Sequence, residues 1–243
     1  MAFDGSAVYS IVRELNKTIV PGRIIKIAQT DRQELFLTIK NEGSQFRLLI
    51  SVNPGLPMIY LTDRSKTAPL TAPAFCMLLR KHLINGKIQS ITQPSMERII
   101  DINIEHFDEM GDVCTKTLTV ELMGKHSNII LRQDDSILDS IRHVSAIMSS
   151  VREVLPGRKY FIPFSEGKIN PLNTCKEEFI AGVFSSGSMP LSKALYSNIT
   201  GFSPAISEEI LFRAGIDSDR PANSIDPAGQ NRIYAHFTDV MEH

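Results

Sequence analysis

Val8, Ile11, Val12, Leu15 and Ile19 follow the spacing of three, four and seven that lines one side of a helix. Asp4 stands where a cap is needed, and Pro21-Gly22 where the helix must stop. From Arg23 the period drops to two. Residues 23–29 lead to 34–40, where Leu35, Leu37 and Ile39 alternate with polar neighbours. Asn41-Glu42-Gly43 then turns the chain into 45–51. Residues 58–61 read as a further short strand.

The stretch 75–100 breaks this monotony. Pro73 opens a helix and Asn85-Gly86 closes it. Phe75, Leu78, Leu79 and His82 share one side, while Arg80 and Lys81 cross to another. A turn, a short strand and a second turn then deliver Glu97-Arg98 to the mouth of a strand over 97–104. Its alternation sets Arg98, Ile100, Ile102 and Ile104 against Glu97, Ile99, Asp101 and Asn103. An acid–arginine pair there is costly for a core and useful for gripping something polar. A loop at 108–112 returns the chain through 115–122. Residues 129–132 and 137–142 make another hairpin around Asp134-Asp135. Two helices and roughly eight to ten strands predict an α+β fold dominated by antiparallel sheet.

Residues 155–173 carry three prolines and two glycines, and a domain boundary falls there, giving domains 1–170 and 171–243. Beyond it the period is helical. Thr174 with Glu177 fits a capping box. A short helix at 191–199 is followed by Thr200-Gly201-Phe202-Ser203-Pro204, in which Ser203 caps and Pro204 opens the next helix, stopping at Gly215. Asp226-Pro227 opens a last helix with Ile233, Phe237 and Val240. The chain ends inside that pattern, which predicts that the natural protein continues past His243. Residues 191–214 have a helix–hairpin–helix shape, and Gly201, Phe202 and Ser203 would present backbone N–H groups to a phosphate. The nearby Glu208-Glu209 is equally consistent with a hairpin that only packs.

Charge changes the picture in one respect. The net charge of −1 divides into +3 for residues 1–170 (21 Lys+Arg less 18 Asp+Glu) and −4 for 171–243 (5 less 9). A polyanion partner therefore requires a local patch on the first part. Three well-separated cysteines without CxxC spacing suit reduced thiols in a cytoplasmic protein, and neither a membrane span nor a signal peptide is readable. The histidines at 82, 106, 126, 143, 236 and 243 show no metal-ligand spacing. No nucleophile elbow, P-loop or dinucleotide fingerprint occurs, so neither enzyme, metal nor cofactor is expected. The turn at Gly124 displays Lys125 and His126 at a strand end, and sheet geometry would bring Arg142 and His143 near them.

MAFDG at the start, FCMLLRKHL at 75–83, Glu97-Arg98, ELMGKHSNIIL at 121–131, IRHV at 141–144 and LPGRKY at 155–160 occur in the order and spacing of the NFACT family. The sequence resembles its bacterial RqcH-type branch, often labelled fibronectin-binding protein A. The resemblance implies an NFACT-N domain, similar to the N-terminal domain of formamidopyrimidine-DNA glycosylases, followed by a helix–hairpin–helix domain. It also implies a cytoplasmic ribosome quality-control factor. Such a factor binds the large ribosomal subunit with peptidyl-tRNA and recruits alanyl-tRNA for template-free C-terminal tailing, the bond being made by the ribosome.

By position, the family's tRNA-recruiting Asp-Arg pair falls on Glu97 and Arg98, with one extra methylene in Glu97. The family's Glu-Ile-Met element falls on Glu121, Leu122 and Met123. Lys125, His126, Arg80, Lys81, Arg142 and His143 complete the expected tRNA-binding set. Glycosylase activity is not expected, because Ala2 and Phe3 stand where those enzymes need a proline nucleophile and a glutamate. The older label supplies the alternative, a surface adhesin binding fibronectin.

Overall fold

The computed structural model describes residues 3–108, 110–163 and 167–242. Met1 and Ala2 of the opening motif, Glu109 of the acidic loop, part of the proline-rich 155–173 segment and His243 lie outside the described residues. The chain divides into two compact units, one of residues 10–94 and 98–163, the other of 1–9, 95–97 and 164–243.

The first unit is built on a nine-stranded antiparallel sheet. Its strands are β1 (Arg23–Asp31), β2 (Glu34–Asn41), β3 (Ser44–Ser51), β4 (Met58–Leu61), β5 (Lys87–Thr92), β6 (Ile99–Phe107), β7 (Val113–Glu121), β8 (Asn128–Gln133) and β9 (Ser136–Ser140). They lie in the order β4-β3-β2-β1-β5-β6-β7-β8-β9. Within β1–β4 and within β5–β9, each strand pairs with its sequence neighbours. The two runs meet at a seam where β1 and β5 share one registered pair, Arg23 opposite Lys87. Hydrogen bonds from Ile24 N to Gly86 O (3.0 Å), Asn85 N to Ile24 O (2.8 Å) and Ile88 N to Gly22 O (2.8 Å) complete it.

Helix α1 (Gly5–Ile19) buries Val8, Val12, Leu15 and Ile19, as its spacing predicts. Helix α2 (Ala74–Leu83) buries Phe75, Cys76, Leu79 and Leu83, a face rotated from the predicted one, with Leu78 and His82 only half-buried. Arg80 fixes that rotation by donating from Nε to Ile27 O at 2.9 Å. A second difference concerns the predicted strand over 97–104. Ser95 and Met96 sit in the left-handed region (φ 46° and 59°), so the chain is still turning at Glu97-Arg98 and the strand begins at Ile99. Ile99, Ile100, Ile102 and Ile104 are all fully buried, because both faces of the sheet are covered here.

The second unit packs α3 (Lys176–Phe184), α4 (Leu191–Asn198), α5 (Pro204–Arg213) and α6 (Pro227–Glu242) around Phe179, Val183, Leu195, Ile210, Ile233 and Phe237. Phe179 meets the Tyr234 ring edge-on at 5.3 Å. The box that caps α3 uses Cys175 and Glu178, one residue later than predicted. Asp4 belongs to this unit. Its carboxylate accepts from Ala7 N at 3.0 Å and from Ser203 Oγ, while Ser203 Oγ accepts from Ile206 N at 3.4 Å. Gly5 N donates to Gly201 O at 2.7 Å. Gly201 has φ +78°, and a Cβ there would lie 2.2 Å from Met96 O. Only glycine fits this joint.

Candidate nucleic-acid interface

β7 carries Lys116, Leu118 and Val120 on one face of the sheet and Thr117, Thr119 and Glu121 on the other. The second face is polar and deeply buried. Thr119 Oγ1 donates to Asp101 Oδ1 at 2.6 Å; Arg132 donates from Nε to Thr119 Oγ1 (3.0 Å) and from Nη2 to Asp101 Oδ2 (2.9 Å). Residues 141–163 fold back to cover this face, held by the Val144–Val154 backbone pair and by Tyr160 N donating to Asp135 O at 2.6 Å.

That return places Arg152 and Tyr160 on Glu121, whose residue exposure is 0%. Arg152 Nη2 donates to Glu121 Oε1, and the Tyr160 hydroxyl donates to the same oxygen at 3.0 Å. Two guanidinium groups, those of Arg132 and Arg152, each lie over the Tyr160 ring at 5.2 Å from its centroid. Burial, then the Glu121 carboxylate, holds the Tyr160 phenol well above its ordinary range; Arg152 works in the opposite direction. Burial disfavours the Arg152 cation, but the charge and hydrogen bond of Glu121 outweigh it and raise the guanidinium pKa.

Above this network lies a cavity of about 200 Å³ whose lining includes Glu121, Lys125, His126, Asn128, Arg142 and Arg152. Lys125, His126 and Arg142 are exposed at its rim. Arg142 Nη1 donates to Lys125 O at 2.6 Å, and Asn128 Nδ2 donates to Arg142 O at 2.8 Å, so the two loops are tied together. Glu121 Oε2 is buried with no hydrogen-bond partner among the described residues. The cavity therefore offers cations at its mouth, above a carboxylate that is itself sealed from solvent. The rim suits an anionic ligand.

Of the predicted site residues, four meet at this cavity: Glu121, Lys125, His126 and Arg142. Leu122 is buried in the core, and Met123 is half-buried with its N–H bonded to Ser127 Oγ at 2.9 Å. Neither Glu121 nor Leu122 presents a side chain to a macromolecular surface. His143 is exposed beside Asp139, with Nε2 and Oδ1 at 2.6 Å. Arg98 is exposed just before β6, its carbonyl accepting from Leu122 N at 2.8 Å, and Glu97 is half-buried. Arg80 spends its guanidinium Nε on Ile27, and Lys81 lines a different cavity. At the Gly201-Phe202-Ser203 turn, Phe202 and Ser203 are buried and Asp4 already supplies the anion at the α5 N-terminus. A phosphate arriving there would meet a carboxylate. Arg152 and Tyr160 were not among the predicted residues. The available signals were a lone arginine in the otherwise uncharged stretch 144–152 and the tyrosine closing LPGRKY.

A nine-stranded antiparallel sheet with a covered polar face and a helical unit defines an α+β protein, and a family model settles which. The NFACT N-terminal and middle domains match residues 4–243, and the chain belongs to the NFACT family, in its RqcH-type branch. It is 36% identical over 246 aligned residues to the Rqc2 homolog RqcH of Bacillus subtilis, covering 100% of this chain and 42% of that protein. It is 41% identical over 180 residues to the protein of the same name from Streptococcus pneumoniae, covering 73% of this chain and 32% of the relative. The chain thus spans less than half the length of these relatives. The solved N-terminal part of the fibronectin/fibrinogen-binding protein of Streptococcus suis superimposes with TM-score 0.83 at 30% identity, covering 98% of this chain and 85% of that one.

Proposed function

We propose that the chain is the tRNA- and large-ribosomal-subunit-binding part of a cytoplasmic ribosome quality-control factor. In this reading residues 1–170 form its NFACT-N domain and 171–243 its helix–hairpin–helix domain. It recruits alanyl-tRNA for template-free C-terminal tailing of stalled nascent chains and performs no chemistry of its own. Membership among the RqcH-type NFACT proteins supports the quality-control role. The observation that carries the RNA-binding reading is the cavity wall of buried Glu121 beneath a rim of Lys125, His126 and Arg142. The rim contacts phosphates, and buried Glu121 holds Arg152 in place beneath it. Arg98, exposed nearby in sequence to the Ile99–Glu121 strand pair, adds a bidentate donor.

The test is a mobility-shift titration of the chain with tRNA across a range of salt. Binding with a steep salt slope is expected, and its absence would move the RNA surface to parts of the protein outside residues 1–243. In the whole protein, Arg98→Ala is expected to weaken tRNA capture while leaving the melting temperature unchanged. Undiminished tailing by that variant would remove Arg98 from the site. Fibronectin binding is named for the Streptococcus suis neighbour, and the RqcH-type relatives favour the ribosomal reading over it.

A further inference from the structure

β7 serves a second cavity, of about 510 Å³, on the opposite face of the sheet and at the opposite end of the strand. Lys116 lies five residues from Glu121, roughly 17 Å along the strand, and its side chain leaves the other face. The lining includes Lys81, His82, His106, Asp108, Cys114 and Lys116. Lys116 is only 5% exposed, and its Nζ donates to Cys114 Sγ at 3.2 Å, a weak acceptor for a buried ammonium. His106 stands directly opposite Cys114 in the β6–β7 ladder, and its Nδ1 is buried with no hydrogen-bond partner among the described residues. Asp108 turns its Oδ1 into its own loop, accepting from Met110 N and Asp112 N at 2.9 Å each. Among the described residues, two buried nitrogen groups at one cavity thus have no strong hydrogen-bond partner, and such groups are ordinarily satisfied. No group of three or more His, Cys, Asp or Glu able to hold a metal occurs among the described residues.

The geometry points to a phosphate-binding site in this cavity, in which Lys116 Nζ and His106 Nδ1–H donate to phosphate oxygens, with Lys81 and His82 at its border. The ligand is a phosphate group, carried either by an RNA backbone or by a free phosphate or nucleotide. The cavity is separate from the rim of Lys125, His126 and Arg142, so the inference survives if the RNA reading fails.

Cys114 reports on occupancy. Its alkylation by iodoacetamide is followed by peptide mass spectrometry, with exposed Cys175 as internal control and Cys76 buried. The purified chain is treated in potassium phosphate, in a single-stranded oligoribonucleotide, or in potassium chloride of matched ionic strength. At ligand tenfold above its Kd, a competitive occupant slows Cys114 alkylation roughly tenfold and leaves Cys175 unchanged. Lys116→Met abolishes the protection. The His106 ring resonances of the unmutated chain shift in parallel, so the outcome does not depend on the variant folding. Protection by RNA alone assigns the phosphate to a polynucleotide, and protection by free phosphate assigns it to a small molecule; both support the site. A Cys114 rate and a His106 spectrum identical in all three media overturn it, and leave Cys114 Sγ as the partner of Lys116.

Discussion

Arg152→Met tests whether Glu121 depends on a single cation. The carboxylate is fully buried, and its only described partners, Arg152 and Tyr160, both address Oε1. Removing Arg152 leaves a buried charge with one neutral donor, which costs roughly 3–5 kcal/mol. For a chain of this size each kcal/mol lowers the melting temperature by about 2–4 °C, so a fall of roughly 6–20 °C is expected. Methionine keeps much of the arginine stem's packing, so lost volume contributes little. The control is the double variant Arg152→Met with Glu121→Gln, which removes both charges and should recover most of the loss. Thermal and urea unfolding followed by far-ultraviolet circular dichroism measure Arg152→Met, Glu121→Gln and the double variant as a cycle. A fall of less than about 2 °C for the single variant would refute the argument. So would a double variant no more stable than the single one, since the cost would then lie in packing.

Tyr160 should stay silent in an alkaline spectrophotometric titration carried past the ordinary tyrosine value of about 10. Its folded pKa is raised, so its contribution is fully present below about pH 10 and is lost as pH climbs toward the folded value; unfolding midpoints above pH 10 should therefore fall less steeply in Tyr160→Phe. Gly201→Ala forces a Cβ against Met96 O at a positive φ, and should cost of order 1–3 kcal/mol in urea unfolding. Arg142→Ala should lower tRNA affinity and reduce the salt slope by about 1 without changing the far-ultraviolet spectrum.

The alternation of Leu35, Leu37 and Ile39, the capping serine before Pro204 and the stripe from Val8 to Ile19 are local signals, and each led to an element that the structure contains. The Lys125–Arg142 proximity was readable because hairpin geometry carries one strand end to its neighbour. The charged network was not. Arg152 and Glu121 are 31 residues apart and Tyr160 and Glu121 are 39 apart, joined by a return segment without helical or strand period. The start of the strand after Glu97-Arg98 was misread for another reason. Alternation was read through a turn whose left-handed residues, Ser95 and Met96, have no side-chain signature of that conformation.

The narrow junction between β1 and β5 gives the sheet an order of assembly. Strands β1–β4 and β5–β9 are each meanders closed by short loops, whose pairing entails little entropy of loop closure. Joining them requires the segment through α2 to bring Arg23 to Lys87, and few hydrogen bonds reward that step. Each meander is then a cooperative block of its own. Amide protons at Ile24, Asn85 and Ile88 should exchange ahead of those inside either block, as the line along which the sheet parts.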